Sequence, residues 1–234
     1  MACDQGVYEH DNVRTLFSLM RPNTTYFDVG ANIGLLSIPV LYQEPTSKVV
    51  SIEPSPNAAP FLRKTIQNSR YGDRWVLVEK AAGDTVGETF FSISSPALGA
   101  FDGVKDTQRA KVIKEIKVPV TTLDHEWEIL GNPKISVIKV DVEGAELEVL
   151  RGGLECIAKE KPYILVEWNL SNLNAYEYGA ESLLVFAQST NYCLFSIPHL
   201  LPVTDITTLK IQMLKTESFL LAPSESGPKR NKSL

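Results

Sequence analysis

The chain has 234 residues, 44% of them hydrophobic and 22% charged, an ordinary globular composition with enough length for one α/β domain and a sizeable core. Its net charge of −5 excludes a global basic footprint for nucleic acid, and neither a basic, apolar leader nor a run long enough to cross a bilayer is visible. Cys3, Cys156 and Cys193 are odd in number and scattered, which predicts reduced thiols in a cytoplasmic protein rather than a disulfide set or a metal cluster.

Val13, Leu16, Phe17 and Met20 share one helical face, ended by Pro22-Asn23, and predict a first packing helix. Residues 24–29 are β-branched and aromatic and read as a strand. Gly30, Ala31, Asn32 and Gly34 follow at once, a turn that bends sharply and lets a ligand approach the backbone. The apolar run from Leu35 to Leu41 suits a helix holding Pro39 in its first turn. Strand, glycine turn and helix is how a doubly wound domain opens its nucleotide pocket. The spacing, however, is not the G-x-G-x-x-G of dinucleotide sites, because Asp28 stands two residues before Gly30 and the next glycine is Gly34. A carboxylate there repels a pyrophosphate and suits a cation such as an α-amino group or a sulfonium.

Residues 48–53 form a second strand ending in Glu53, about 20 residues past the glycines, where an acid accepts from ribose hydroxyls. That spacing supports an adenosine-bearing ligand without choosing one. A turn at Pro54-Ser55-Pro56-Asn57 leads to a helix with Phe61, Leu62 and Ile66 inward, and residues 75–79 make a third strand. The small residues from Ala81 to Gly83 leave room for a flat base, and Asp84 reads as a turn residue. Residues 89–93 and 113–122 read as a β-ribbon inserted at about 87–124, and the long segment 92–111 predicts a flap beside the substrate entrance. His125 reads as a solvated loop residue rather than a base. The strand 135–141 carries Lys139 inside a hydrophobic run and ends in Asp141, followed by a glycine turn with Glu143 and Glu146. A buried lysine needs a partner; alternation puts Asp141 on its face, and Asp28 is available from a neighbouring strand. Residues 163–169 form a fifth strand, and Glu167, Trp168 and Asn169 at its carboxyl end are expected to line the substrate pocket. Leu183, Leu184 and Phe186 belong to a covering helix. Residues 192–197 and 218–221 complete the strands, 199–209 is a variable connection, and 199–215 together with 92–111 is expected to shape the substrate pocket. The domain then ends at 222, before a disordered tail over 223–234.

Asp28-x-Gly30-x-Asn32-x-Gly34 resembles motif I of class I S-adenosylmethionine (SAM) methyltransferases. The longer run from Phe27 to Gly34, Glu53-Pro54-Ser55-Pro56-Asn57, Thr121-Thr122-Leu123-Asp124 and the run from Lys139 to Glu146 are similar to segments of the FkbM family. The resemblance covers residues 8–221, starting from Tyr8-Glu9 before the first helix. It implies an α/β fold: a Rossmann-like three-layer sandwich with a mixed seven-stranded sheet and an antiparallel edge hairpin. The implied activity is SAM-dependent methyl transfer, usually to the oxygen of a small molecule or sugar, with no nucleic acid or membrane as partner. In that scheme Asp28 holds the methionine end, and the backbone of Gly30, Ala31, Asn32 and Gly34 packs on it. Glu53 takes the ribose hydroxyls, Pro54 and Ser55 belong to the same cofactor site, and Ala81 and Ala82 bound the adenine. Asp141 lies below the sulfonium, and either Glu143 or Asp141 orients and deprotonates the acceptor hydroxyl. Asp141, Glu143 and Glu167 also offer oxygen ligands to Mg²⁺, although no metal is predicted and no His/Cys pattern suits zinc. Two alternatives stay open: a SAM-binding protein without turnover, and a nicotinamide-dependent oxidoreductase. Nothing in the sequence sets an oligomeric state.

Overall fold

A computed structural model describes residues 9–95, 102–107 and 111–224. In chain order its elements are α1 (His10–Leu19), β1 (Thr25–Val29), α2 (Ser37–Gln43), β2 (Lys48–Ile52), α3 (Ala59–Asn68), β3 (Trp75–Val78), β4 (Ala81–Ala82), β5 (Gly87–Ile93), β6 (Lys114–Thr121), α4 (Leu123–Ile129) and β7 (Ile135–Val140). There follow α5 (Glu146–Arg151), α6 (Leu154–Glu160), β8 (Tyr163–Glu167), α7 (Leu170–Tyr176), α8 (Ser182–Ser189), β9 (Tyr192–Ser196), β10 (Leu201–Val203), α9 (Ile206–Met213) and β11 (Ser218–Pro223). The main sheet has the order β10-β9-β11-β8-β7-β1-β2-β3. Five adjacent strands, from β3 at one edge through β2, β1 and β7 to β8, run parallel. β11 is antiparallel to both β8 and β9, and β10 is antiparallel to β9.

The parallel strands are nearly continuous hydrophobic runs because both faces of the sheet are covered. Phe27, Val50, Ile138, Ile164 and Phe219 belong to one buried cluster. Their neighbours along the strands, Tyr26, Val49, Val137, Leu165 and Leu220, belong to a second cluster. Two clusters from alternate residues make the three-layer arrangement the sequence implies. The chain leaves β1 outward through β2 and β3 and returns to β7 on the other side of β1. This reversal of strand order opens a crevice at the carboxyl ends of β1 and β7, where ligands bind in open α/β sheets.

Several expectations need correction. The main sheet has eight strands rather than seven, because Leu201–Val203, expected within a connection, pairs with β9. A three-residue edge strand containing Pro202 carries almost no propensity signal. The ribbon of β5 and β6 does form, in register from Gly87↔Val120 to Ile93↔Lys114, but it joins β4 in a separate three-stranded sheet. Phe61 is 59% exposed, while Leu62 on the same helix is fully buried. His125 lies in the first turn of α4, whose N-cap Thr122 accepts from its backbone N–H at 3.1 Å. β11 runs to Pro223, opposite Tyr192, so the expected boundary at 222 moves outward; 225–234, like Tyr8 and parts of the 92–111 segment, lie outside the described residues. Among the described residues no helix is long and apolar enough to cross a membrane.

Candidate active site

The turn after β1 is built by three residues with left-handed backbone, Gly30 (φ 73°), Asn32 (φ 51°) and Gly34 (φ 87°), a region only glycine and, less readily, asparagine occupy cheaply. A Cβ on Gly30 would overlap the carbonyl oxygen of Asp141, so this glycine permits the close approach of the β1 and β7 ends. Gly34 has a different role. A Cβ there would lie 2.7 Å from Leu62 and 2.8 Å from the Trp75 ring, which makes it a packing glycine beneath the turn.

Glu53, at the end of β2, holds the turn in place. Its Oε2 accepts from the Asn32 amide at 2.7 Å and its Oε1 from the Ser55 amide at 2.8 Å. Burial pushes its pKa up to about 7 despite those two bonds. Asp28 is wholly buried and accepts from Ser37 Oγ at 2.6 Å, while its Oδ1 makes no hydrogen bond. Burial raises its pKa, against the opposing pull of Lys139 and Ser37.

Lys139 is the inward-facing cation of β7. Its Nζ stands 3.0 Å from Asp141 Oδ2 and 3.9 Å from Asp28 Oδ1, and it donates to the Gly30 carbonyl at 3.1 Å. Burial pulls its pKa down, but Asp141 and Asp28 more than offset that and hold the lysine charged. One ammonium thus ties the ends of β1 and β7 together.

Beyond β7 the chain turns through Glu143 (φ 59°) and Gly144 (φ 110°). Glu146 organises this loop from inside, its Oε1 accepting from the Val142 and Gly144 amides at 3.1 and 3.0 Å; burial pushes its pKa up to about 8. Helix α7 supports the loop from outside. Asn172 Nδ2 donates to Glu143 Oε2 at 3.2 Å, and the Tyr176 ring lies where a Cβ on Gly144 would be. Glu167, at the end of β8, accepts from Asn169 Nδ2 at 2.8 Å. Burial, and then Asp141, Glu143 and Glu146, push its pKa up to about 10, so it holds a proton at neutral pH.

These groups wall one cavity of about 340 Å³, within the range of small-molecule sites. Of the residues picked from sequence, the wall includes Asp28, Gly30, Ala31, Asn32, Glu53, Pro54, Ala81, Ala82, Asp141, Glu143 and Glu167. Gly34, Ser55, Trp168 and Asn169 are not in it, nor is any residue of 199–215, which was expected to shape the pocket. Trp168 is a correction. Its ring is fully buried in the core, and its Nε1 donates to the Ala180 carbonyl at 3.0 Å. Asn169 acts one step back, as the N-cap of α7 that accepts from the Asn172 amide. The 92–111 segment, expected to shape the pocket, does contribute Asp102 and Val104 to the wall, although neither was singled out, and Glu9 and Phe91 were not assigned to the site from sequence. Asp102 is a buried hub that accepts from Ser55 Oγ, Asn57 Nδ2, the Ser94 amide and Ser94 Oγ at 2.6 to 3.0 Å. Among the described residues no set of three His, Cys, Asp or Glu side chains is arranged to hold a metal ion.

Comparison with known proteins bears on this geometry. The chain is 27% identical over 169 residues to the 2-O-methyltransferase NoeI of Sinorhizobium fredii, covering 67% of this chain and 68% of that protein. It is 31% identical over 144 residues to the hexuronic acid methyltransferase AglP of Haloferax volcanii, covering 62% of this chain and 56% of that protein. The solved structure of methyltransferase FkbM from Methylobacillus flagellatus KT matches in fold with a TM-score of 0.55 at 15% identity, over 89% of this chain and 50% of that one. The chain therefore spans about half the length of that structure and little more than half of AglP. The model of the methyltransferase FkbM domain matches residues 28–192, from Asp28 in β1 through both acid-bearing turns to the first residue of β9. The chain belongs to the FkbM methyltransferase family.

Proposed function

We propose that this protein methylates a hydroxyl of a sugar or similar small polyhydroxylated acceptor, with SAM as donor. The observation that carries this reading is the single cavity that joins the Glu53-braced glycine turn to Asp141, Glu143 and Glu167. The donor set suits SAM: the cavity wall is rich in carboxylates, Asp28 among them, and its lysine is already engaged. Such a wall favours a cationic ligand and disfavours a pyrophosphate. Bound there, SAM supplies an electrophilic methyl group on a sulfonium.

The chain's own contribution is mostly positional, since in-line displacement depends on holding donor and acceptor in near-attack geometry. As the acceptor oxygen forms its bond to the methyl carbon, the carbon–sulfur bond breaks and the hydroxyl proton must leave. Asp141 is tied to Lys139, and Glu167 already holds a proton at neutral pH. Glu143 is the remaining carboxylate of the wall at this end, presented by a left-handed residue and steadied by Asn172. It takes the proton. The names of NoeI and AglP, a 2-O-methyltransferase and a hexuronic acid methyltransferase, support oxygen on a sugar as the target.

The test is calorimetric titration with SAM and S-adenosylhomocysteine (SAH), repeated for Glu53→Ala. Binding by the wild type, weakened about 10-fold or more in the variant through loss of the charged acceptor that shapes the turn, supports the reading. Absence of binding to either ligand by folded protein refutes it. Incubation with labelled SAM and a panel of hydroxylated sugars then identifies the acceptor.

A further inference from the structure

The acid that starts α1 does not do what an acid at a helix start ordinarily does. Glu9 is the N-cap, yet its side chain makes no capping hydrogen bond, forgoing the stabilisation such bonds give. Its backbone is left-handed, with φ 41° and ψ 47°, a conformation unfavourable for a non-glycine residue. Its Oε2 accepts from Asn12 Nδ2 at 2.8 Å, and the residue forms part of the cavity wall. There it lies close enough to Asp28 and Lys139 to perturb both electrostatically.

Its place in the fold gives this orientation a meaning. α1 packs on α2 and β7, so Glu9 approaches the cavity from the β1–β7 side. Glu53, Ala81 and Ala82 stand on the β2–β4 side. A ligand with its nucleoside at Glu53 therefore directs its other end toward Glu9. At that end the cavity wall holds Asp28, Asp141 and Glu9, and among the described residues its cation is Lys139, already shared among Gly30, Asp141 and Asp28. With Lys139 engaged by Asp28 and Asp141, the Glu9 carboxylate in the wall favours a cationic group on the ligand.

We propose that Glu9 binds the α-ammonium of the methionine portion of SAM, so that the first helix completes the donor site. This assignment rests on SAM being the ligand; Glu9 stands where the sequence resemblance begins but before the 28–192 segment matched by the family model.

The test uses Glu9→Gln, which keeps the length of the side chain and an acceptor for Asn12. Wild type and variant are titrated with SAM, with SAH and with 5′-methylthioadenosine, which has the nucleoside and sulfur but no amino-acid portion; weak binding of the last is followed by displacement of SAH. The expected result is a loss of about 10-fold or more for SAM and SAH alike, with 5′-methylthioadenosine unchanged. Loss for SAM alone would place Glu9 at the sulfonium and overturn the assignment. Equal loss for all three ligands would mean that Glu9 acts through the fold, and no loss would mean that it does not touch the ligand. Failure of the wild type to bind any of the three removes the SAM reading and this inference together, whereas binding to which the variant is indifferent removes only the inference.

Discussion

Lys139 decides which carboxylate is available for chemistry. A buried lysine in a central strand is unfavourable unless its charge is met, and here two carboxylates and a carbonyl meet it. The pairing commits Asp141 to an electrostatic frame. Glu167, crowded by the same acids, holds its proton through neutral pH. Glu143 sits between them at φ 59°, a strained position for a side chain with a Cβ, of the kind that clusters at functional sites. Its bond from Asn172 orients the carboxylate. With an acceptor in hand, Glu143→Gln is expected to lower kcat by about 10²-fold or more, while SAM affinity by calorimetry stays within about twofold of wild type because the charge removed lies at the acceptor end. A larger loss of kcat from Asp141→Asn, with Glu143→Gln near wild type, would move the proton acceptor to the strand end.

Two turns and one crossing segment assemble these residues, and they differ in how far the sequence reveals them. The strand-to-glycine turns after β1 and β7 are legible because parallel buried strands are hydrophobic runs, and an Asp, Glu or Lys at their carboxyl ends breaks the pattern conspicuously. The same logic exposes the error at Trp168. Adjacent strand residues face opposite sides, so with Glu167 in the cavity wall Trp168 faces the core. Phe61 fails for the corresponding helical reason, since Leu62 and Ile66 share a face that their neighbour leaves. Glu9 and Asp102 are legible only as places, the start of the resemblance and the predicted flap: each sits outside any periodic element, so no spacing shows that its side chain reaches the cavity. Asp102 joins the segment after β5 to the turn after β2, through Ser94 on one side and Ser55 and Asn57 on the other. The next residue, Gly103, lies against Glu143, where a Cβ would stand 3.2 Å from the glutamate's own. This segment therefore roofs the cavity between its two functional ends. Asp102→Ala leaves buried donors on Ser55, Asn57 and Ser94 without their acceptor, at a cost of about 1–3 kcal/mol. The expected readouts are faster amide exchange across 102–107 and weaker SAM binding, with kcat at saturating donor changed less than affinity. Unchanged exchange in 102–107 would show that the roof is held by other contacts.

Across the whole molecule, the concentration of acids at one end of the sheet imposes a pH dependence on stability. From ordinary values of 4.5, burial pushes Glu53 up to about 7, Glu146 to about 8 and Glu167 to about 10. Each group therefore holds its proton more tightly folded than unfolded. Between the unfolded and folded pKa values the unfolded chain has released protons that the native protein keeps, so stability falls as pH rises. The contribution is fully present below about pH 4.5 and is lost as pH climbs through about 7, 8 and 10 in turn. Other shifts lie outside this window: the lowered pKa values of Glu44 and Asp205, which are of the opposite kind, act only at strongly acidic pH, and the raised pKa of Lys139, of the same kind, costs stability only in strong base. Thermal unfolding followed from about pH 5 to about pH 9 should accordingly show a declining Tm. Glu146→Gln isolates one component, because its amide oxygen still accepts from the Val142 and Gly144 amides but cannot ionise. Its profile should fall less steeply above about pH 5 than that of the wild type. SAM at saturation should flatten the wild-type profile as well, since a sulfonium among carboxylates lowers their pKa values and the ligand then stabilises most where those groups are ionised. SAH, lacking the sulfonium charge, should flatten it less. Parallel profiles for wild type and Glu146→Gln, or a Tm that rises with pH, would place the controlling titration outside this acid-lined end of the sheet.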